Sequence, residues 1–138
     1  MNSSLATPKG VVRRWIAAFN AADADALAAL YHDDAINHQV ALSAVRGRDV
    51  IQAMFVQEFA VAAMECVPVN LFEDGEWAIL EWQDPAERRG CGFFHVIEGR
   101  IALQRGYWDT ATFAPKPRAK PKPAPKPRAA KPRATSKA

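Results

Sequence analysis

Three adjacent side chains, Asn37, His38 and Gln39, sit inside the apolar stretch AINHQVAL, residues 35–42. Imidazole titrates near neutrality, so a histidine in such a stretch is a candidate general base. Apolar surroundings keep it neutral and able to accept a proton. The plainer alternative is a half-buried histidine bonded to a backbone carbonyl. Asn37 and Gln39 are candidate contacts for a polar group on a substrate. In a strand they face opposite to His38, and the segment alone leaves open which face is inward. Asp84 is the second catalytic candidate. It ends the run EWAILEWQD, on the same parity as Trp82. A carboxyl against aromatic rings holds its proton more tightly and can serve as a general acid. Asp before Pro85 is also a common turn that ends a strand.

The elements that would position these residues follow from periodicity. Thr7-Pro8 reads as a cap and first helical residue, with Val11, Val12, Trp15, Ile16 and Phe19 at helical spacing up to Asn20. Asp23 caps a second, short helix carrying Leu27, Leu30 and Tyr31. HDD at 32–34 breaks that pattern, and residues 35–40 read as a short strand. After RGRD a third helix carries Val50, Ile51, Met54, Phe55 and Phe59. From residue 64 the period becomes two. MECVPVNLFE and EWAILEWQD form a hairpin across Asp74-Gly75, and GCGFFHVIE pairs with RIALQRGYWDTATF across Glu98-Gly99. The order α-α-β-α-β-β-β-β predicts an α+β domain with helices on one face of a curved antiparallel sheet. Trp15, Tyr31, Phe55, Trp82, Phe94 and Trp108 are the candidate wall of an apolar pocket. His95, Arg105, Tyr107 and Asp109 share the opposite parity with Phe93, Ile101 and Leu103. That mixed face, on the hairpin of residues 91–109, is of the kind that homodimers use.

Composition divides the 138 residues in two. Residues 1–113 carry nine Lys/Arg against fifteen Asp/Glu, a net of −6, whereas residues 114–138 carry nine Lys/Arg and no acid. The first part is expected to be the folded domain. The second is a Lys/Arg/Pro/Ala-rich tail, expected to be extended and disordered because it has too little apolar surface to fold. Cys66 and Cys91 show neither a CxxC motif nor histidines at metal spacing, so two reduced thiols and no metal are expected. The N-terminus lacks the pattern of a secretory signal, and no apolar run suits a membrane span, so a cytoplasmic location is expected.

The stretches VVRRWIAAFNAADADALAALYHDDAINHQ, GRDVIQAMF and HVIEGRIALQRGYWD together resemble the SnoaL-like branch of the nuclear transport factor 2-like superfamily. The resemblance covers roughly residues 8–113. It implies a cone: a curved sheet wrapped around three helices, with one deep apolar pocket, often in a dimer. Ketosteroid isomerases, limonene epoxide hydrolases and polyketide cyclases are relatives of this kind. Similarity to the isomerases places His38 at the catalytic base and Trp15 at an oxyanion-binding tyrosine. Their protonated aspartate falls near Phe93 or Phe94. Similarity to the epoxide hydrolases places Asp84 at an aspartate, Trp82 at its paired arginine, and Gly106 at a second aspartate. The cyclases' aspartate also falls on Gly106, and their histidine on Gly92. None of the three residue sets is complete here.

Two functions are consistent with these residues. One is a cofactor-independent isomerase, cyclase or hydrolase acting by general acid/base chemistry on a small apolar molecule. His38 would be its base and Asp84 its acid or orienter, with polar contacts from Trp15 and from Asn37 or Gln39. The other is a non-catalytic ligand-binding or dimerisation module whose tail binds nucleic acid or another polyanion. Proline spacing leaves the tail's cations strung along the chain rather than gathered on one face. The tail should therefore bind DNA and RNA of unrelated sequence alike, with affinity falling steeply with salt. Full-length protein and a chain ending at Phe113 can be titrated with unrelated oligomers at two salt concentrations. Equal binding by the shortened chain, or sequence dependence with little salt dependence, would rule out a charge-driven tether.

Overall fold

A computed structural model describes residues 6–113; the basic tail, residues 114–138, lies outside the described residues. Helix α1 spans Pro8–Asn20. Its cap forms as the sequence suggests: Thr7 Oγ1 accepts the Gly10 N–H at 3.0 Å, an arrangement worth about 1 kcal/mol. Val11, Val12, Trp15 and Ala18 form the buried stripe. At its end Asn20 imitates a strand partner. Its Nδ2 donates to the Cys66 carbonyl at 3.0 Å and its Oδ1 accepts the Cys66 N–H at 2.7 Å.

Helix α2 spans only Ala24–Ala28, capped by Asp23. Leu30 and Tyr31 do not continue it, because their carbonyls have partners in extended form. Leu30 accepts from Ile101 N at 2.7 Å, and Tyr31 accepts from Arg48 Nε and Nη2 at 3.1 and 2.8 Å. Strand β1 therefore starts earlier than the sequence predicts and runs through HDD as Tyr31–Gln39. A short strand β2, Val45–Arg46, turns the chain back. Gly47 then adopts a φ of +101° to start helix α3, Arg48–Val61, which buries Ile51 and Phe55. Arg48 also pairs with Asp33 at 2.9 Å, fixing the start of α3 to β1.

Four further strands follow: β3 Val67–Asp74, β4 Trp77–Gln83, β5 Arg89–Ile97 and β6 Arg100–Trp108, with a one-turn helix α4 at Thr110–Phe113. Both hairpins expected from the sequence form. At the second, Glu98 and Gly99 have φ of +51° and +80°, as a type I′ turn requires. The sheet order is β2-β1-β6-β5-β4-β3 and the sheet is not closed. The expected all-antiparallel sheet is corrected at one pair: β1 lies parallel to β6. No hairpin joins these two strands. The connection runs through α3 and four other strands, so nothing local forces them to oppose.

Helices cover the inner face of this sheet, as in an α+β cone. Ala78, Leu80, Phe94, Val96 and Ile101 meet Val11, Val12, Trp15, Ile51 and Phe55 in one core. Trp15 stands edge-on to Phe94 at 5.5 Å and to Phe55 at 6.3 Å. Ile101 is a second correction. Parity with Leu103 and Arg105 puts it on the outer face, yet it is fully buried. The register between β5 and β6 shifts between His95 and Val96, pairing Val96 with Ile101 but His95 with Leu103. The extra residue, Ala102, rotates Ile101 inward, as a β-bulge does. Among the described residues no helix is long and apolar enough to cross a membrane.

Candidate functional site

The inner face holds a chain of polar side chains inside the aromatic core. Trp15 Nε1 donates to Tyr31 Oη at 3.0 Å. Tyr31 Oη donates to Gln104 Oε1, which also accepts from Asn37 Nδ2 at 3.2 Å. Asn37 Oδ1 accepts from Gln39 Nε2 at 2.7 Å. Tyr31, Asn37 and Gln104 are 0%, 1% and 4% exposed, so these bonds replace water rather than compete with it. Burial raises the Tyr31 hydroxyl well above its ordinary pKa, the Trp15 hydrogen bond offsets part of that, and the nearby Glu58 charge adds to it. Tyr31 therefore works as a neutral relay of hydrogen bonds.

The pairing of β1 with β6 fixes which of residues 37–39 face inward. Asn37 lies opposite Gln104, His38 opposite Arg105 and Gln39 opposite Gly106. Asn37 and Gln39 share the inner face with Gln104. Alternation turns His38 to the outer face beside Arg105. His38 is thus not brought together with the amides it adjoins in sequence.

Asp84 lies in the turn after β4. Its Oδ1 accepts from Ala86 N and Arg88 N, both at 2.9 Å, and its Oδ2 accepts from Arg88 Nε at 2.7 Å. Desolvation pushes its pKa up, but the Arg88 hydrogen bonds and charge outweigh it, and the carboxyl is held below its usual range. That is the opposite of what a general acid needs.

The expected wall residues divide into two groups. Trp15, Tyr31, Phe55 and Phe94 are core, with the Trp15 N–H already bonded to Tyr31. Trp82 and Trp108 lie further along the inner face, at the end remote from the Glu98–Gly99 turn. There the sheet carries three bare positions, Gly90, Gly92 and Gly106, each roofed by a larger neighbour. A Cβ on Gly106 would fall 1.9 Å from Gln39 Oε1, and one on Gly90 would fall 2.4 Å from Trp82 Cζ2. Gln39 thus occupies the space into which a side chain at position 106 would project.

Two members of the site were not found by motif. Gln104 is one turn of the strand pattern away from Gly106, in a stretch read as RIALQRGYW. Glu58 follows Ile51 and Phe55 at helical spacing on the inward stripe of α3, and burial holds its carboxyl above the usual range. A charge where the helical period calls for an apolar residue was the available signal. Cys66 is buried, which pushes its thiol to about 12 and leaves it protonated at neutral pH. Among the described residues no three His, Cys, Asp or Glu side chains gather where they could hold a metal.

The turn assignment of Asp84 has a pH signature. Asp84→Asn should lower stability by about 1 kcal/mol at pH 7, the scale of a hydrogen bond to a charged group discounted for solvent screening. The discount applies because the Arg88 side chain is 42% exposed. Because the folded pKa is depressed, the stabilisation is complete above the unfolded value of about 3.9 and is lost as pH falls towards the folded one. Urea midpoints of the two proteins should differ equally at pH 7 and 5 and converge in stronger acid. Identical midpoints at pH 7 would sink the assignment.

Comparison with known proteins agrees with this architecture. An epoxide hydrolase from M. tuberculosis, described as LEH-like, superposes with a TM-score of 0.66 at 24% identity, covering 73% of this chain and 81% of its own. A proposed polyketide cyclase from Pseudomonas putida gives 0.68 at 21% identity, covering 78% and 95%. A proposed ketosteroid isomerase from Kribbella flavida gives 0.64 at 20%, covering 74% and 77%. At these identities the likeness is one of fold. No curated protein matches the chain. Residues 12–104 match the family model described as SnoaL-like domain, two thirds of the chain, and the protein belongs to that family.

Proposed function

We propose that this protein is a cofactor-independent enzyme that binds a small apolar molecule and moves a proton on it, as an isomerase, cyclase or hydrolase. The observation that carries this is the buried chain from Trp15 to Gln39, whose polar end lies on an aromatic-lined inner face. Five hydrogen-bonded side chains in a core favour function over packing, since apolar residues would fill the same space more simply. Gln39 Oε1 ends the chain as an acceptor, suited to holding a hydroxyl or a water molecule. Asn37 holds Gln39 in place. Glu58 is the proton-transfer group in this scheme, replacing His38 and Asp84. It lies on the same helical stripe as Ile51 and Phe55, its charge acts on the Tyr31 hydroxyl, and burial raises its carboxyl above the ordinary range. The epoxide hydrolase, cyclase and isomerase named among the structural neighbours support the choice of reaction classes.

A panel of apolar epoxides, β,γ-unsaturated ketones and enolisable polyketide-like esters tests the proposal with full-length protein. One class should turn over. The rate should fall on the acid side with a midpoint above the value of about 4.3 for free glutamate. Glu58→Gln should lower kcat/KM about 100-fold, within the usual range for a lost acid/base group, and Gln39→Leu should raise KM. Turnover that survives Glu58→Gln unchanged would remove Glu58 from the mechanism. Failure of all three classes would count against catalysis.

The protein is also proposed to form a homodimer through the outer face of the β5–β6 hairpin. Supporting this, Trp77 stacks on His95 at 4.6 Å and Arg105 lies over both Trp77 and Phe93, at 5.2 and 5.8 Å. Tyr107, edge-on to Phe93, is 41% exposed. Light scattering at micromolar concentration should give twice the chain mass, and Phe93→Glu should give the monomer. A monomeric wild type at that concentration would exclude the dimer.

A further inference from the structure

The end of the inner face beyond Gln39 holds an aromatic ring that comes from the chain's own last described residue. Phe113 stands edge-on to Trp82 at 6.2 Å and to Trp108 at 6.0 Å, and Arg88 Cζ lies 4.4 Å above its ring. These walls have supports of their own. Arg88 is held by Asp84 at 2.7 Å. Trp82 lies close over Gly90, where a Cβ would come within 2.4 Å of the indole. Trp108 pairs with Gly90 across β5 and β6. By contrast α4 has one turn and no buried residue; its hydrogen bonds are local ones to Asp109, and the Phe113 ring is what carries it onto the indoles.

We propose that Trp82, Trp108 and Arg88 form a binding site for a planar aromatic ring, and that Phe113 is a resident occupant which such a ligand displaces. Edge-on indoles and an overlying guanidinium select a flat π-system over a branched aliphatic one. Trp108 is the next inward position after Gly106 on β6, about 7 Å along the strand. A ring held there places its substituents towards Gln39. The site thus deepens the small-molecule reading above, naming the ligand class, and does not depend on which reaction occurs. A tethered ring competes at a local concentration in the millimolar range, so an external ligand must displace it before it can bind.

Full-length wild type, Phe113→Ala, Phe113→Leu and the double variant Phe113→Ala/Trp82→Ala can be titrated with 2-naphthol, following tryptophan fluorescence. Phe113→Ala should bind at least ten times more tightly than wild type, with Phe113→Leu between them. Adding Trp82→Ala should abolish the gain. Circular dichroism checks that each variant is folded, and Phe113→Leu carries the comparison if the alanine variant is not. Equal affinity of wild type and both single variants would overturn the cage while leaving an apolar pocket in place. A gain that persists without Trp82 would put the ligand elsewhere and overturn it too. No binding by any protein would overturn both the cage and the small-molecule reading.

Discussion

A buried indole N–H can only donate a hydrogen bond, and much of this protein's interior follows from satisfying one. Leaving the Trp15 N–H unpaired would cost about 1–3 kcal/mol. The Tyr31 hydroxyl accepts it, and must then pass its own proton to an acceptor, Gln104 Oε1. That oxygen also takes Asn37 Nδ2, so Asn37 turns its oxygen to Gln39 Nε2. One donor-only group thereby sets the orientation of three amides that could each have been flipped. The same bonds join α1, β1 and β6, elements far apart in the chain, so the site and the core are held by one set of contacts.

Bare backbone complements that chain. Gly90, Gly92 and Gly106 lie on the inner face of adjacent strands, and Gly92 pairs directly with Gly106. A side chain at Gly106 would collide with Gln39, and one at Gly90 with Trp82. These glycines are needed for close approach, not for positive φ. They leave room for an amide and an indole to lie flat on the sheet. Resemblance to hydrolases and cyclases sets a carboxylate at position 106; here the space is filled by the amide of Gln39, from the neighbouring strand. The chemistry available at that place changes from an anion to a neutral acceptor.

The sheet separates two kinds of polar residue by its pleat. The inner face keeps neutral amides and hydroxyls, bonded to one another. The outer face carries His38, His95 and Arg105 among aromatic rings, and His95 meets Glu76 at 2.9 Å. Alternation alone sends His38 outward once Asn37 is committed to Gln104. Glu58 departs from this separation, and burial perturbs its carboxyl accordingly.

Local periodicity determined most of the elements. The Thr7 cap, the stripe of Val11, Val12 and Trp15, the third helix and both hairpins at Gly75 and Glu98-Gly99 were legible because their causes lie within a few residues of one another. Tertiary structure decided the rest. Tyr31 left its helix because Arg48 and β6 satisfy the chain in extended form there. Ile101 turned inward because of one extra residue in β6 that no composition announces. The face of Asn37, His38 and Gln39 was open in the sequence, since a strand read alone has two equivalent faces. It closed only when β1 met β6 in parallel, some 67 residues away at the Asn37–Gln104 bond. Alternation can say which residues travel together, but only the partner strand, and the donor-only indole behind it, can say which way they point.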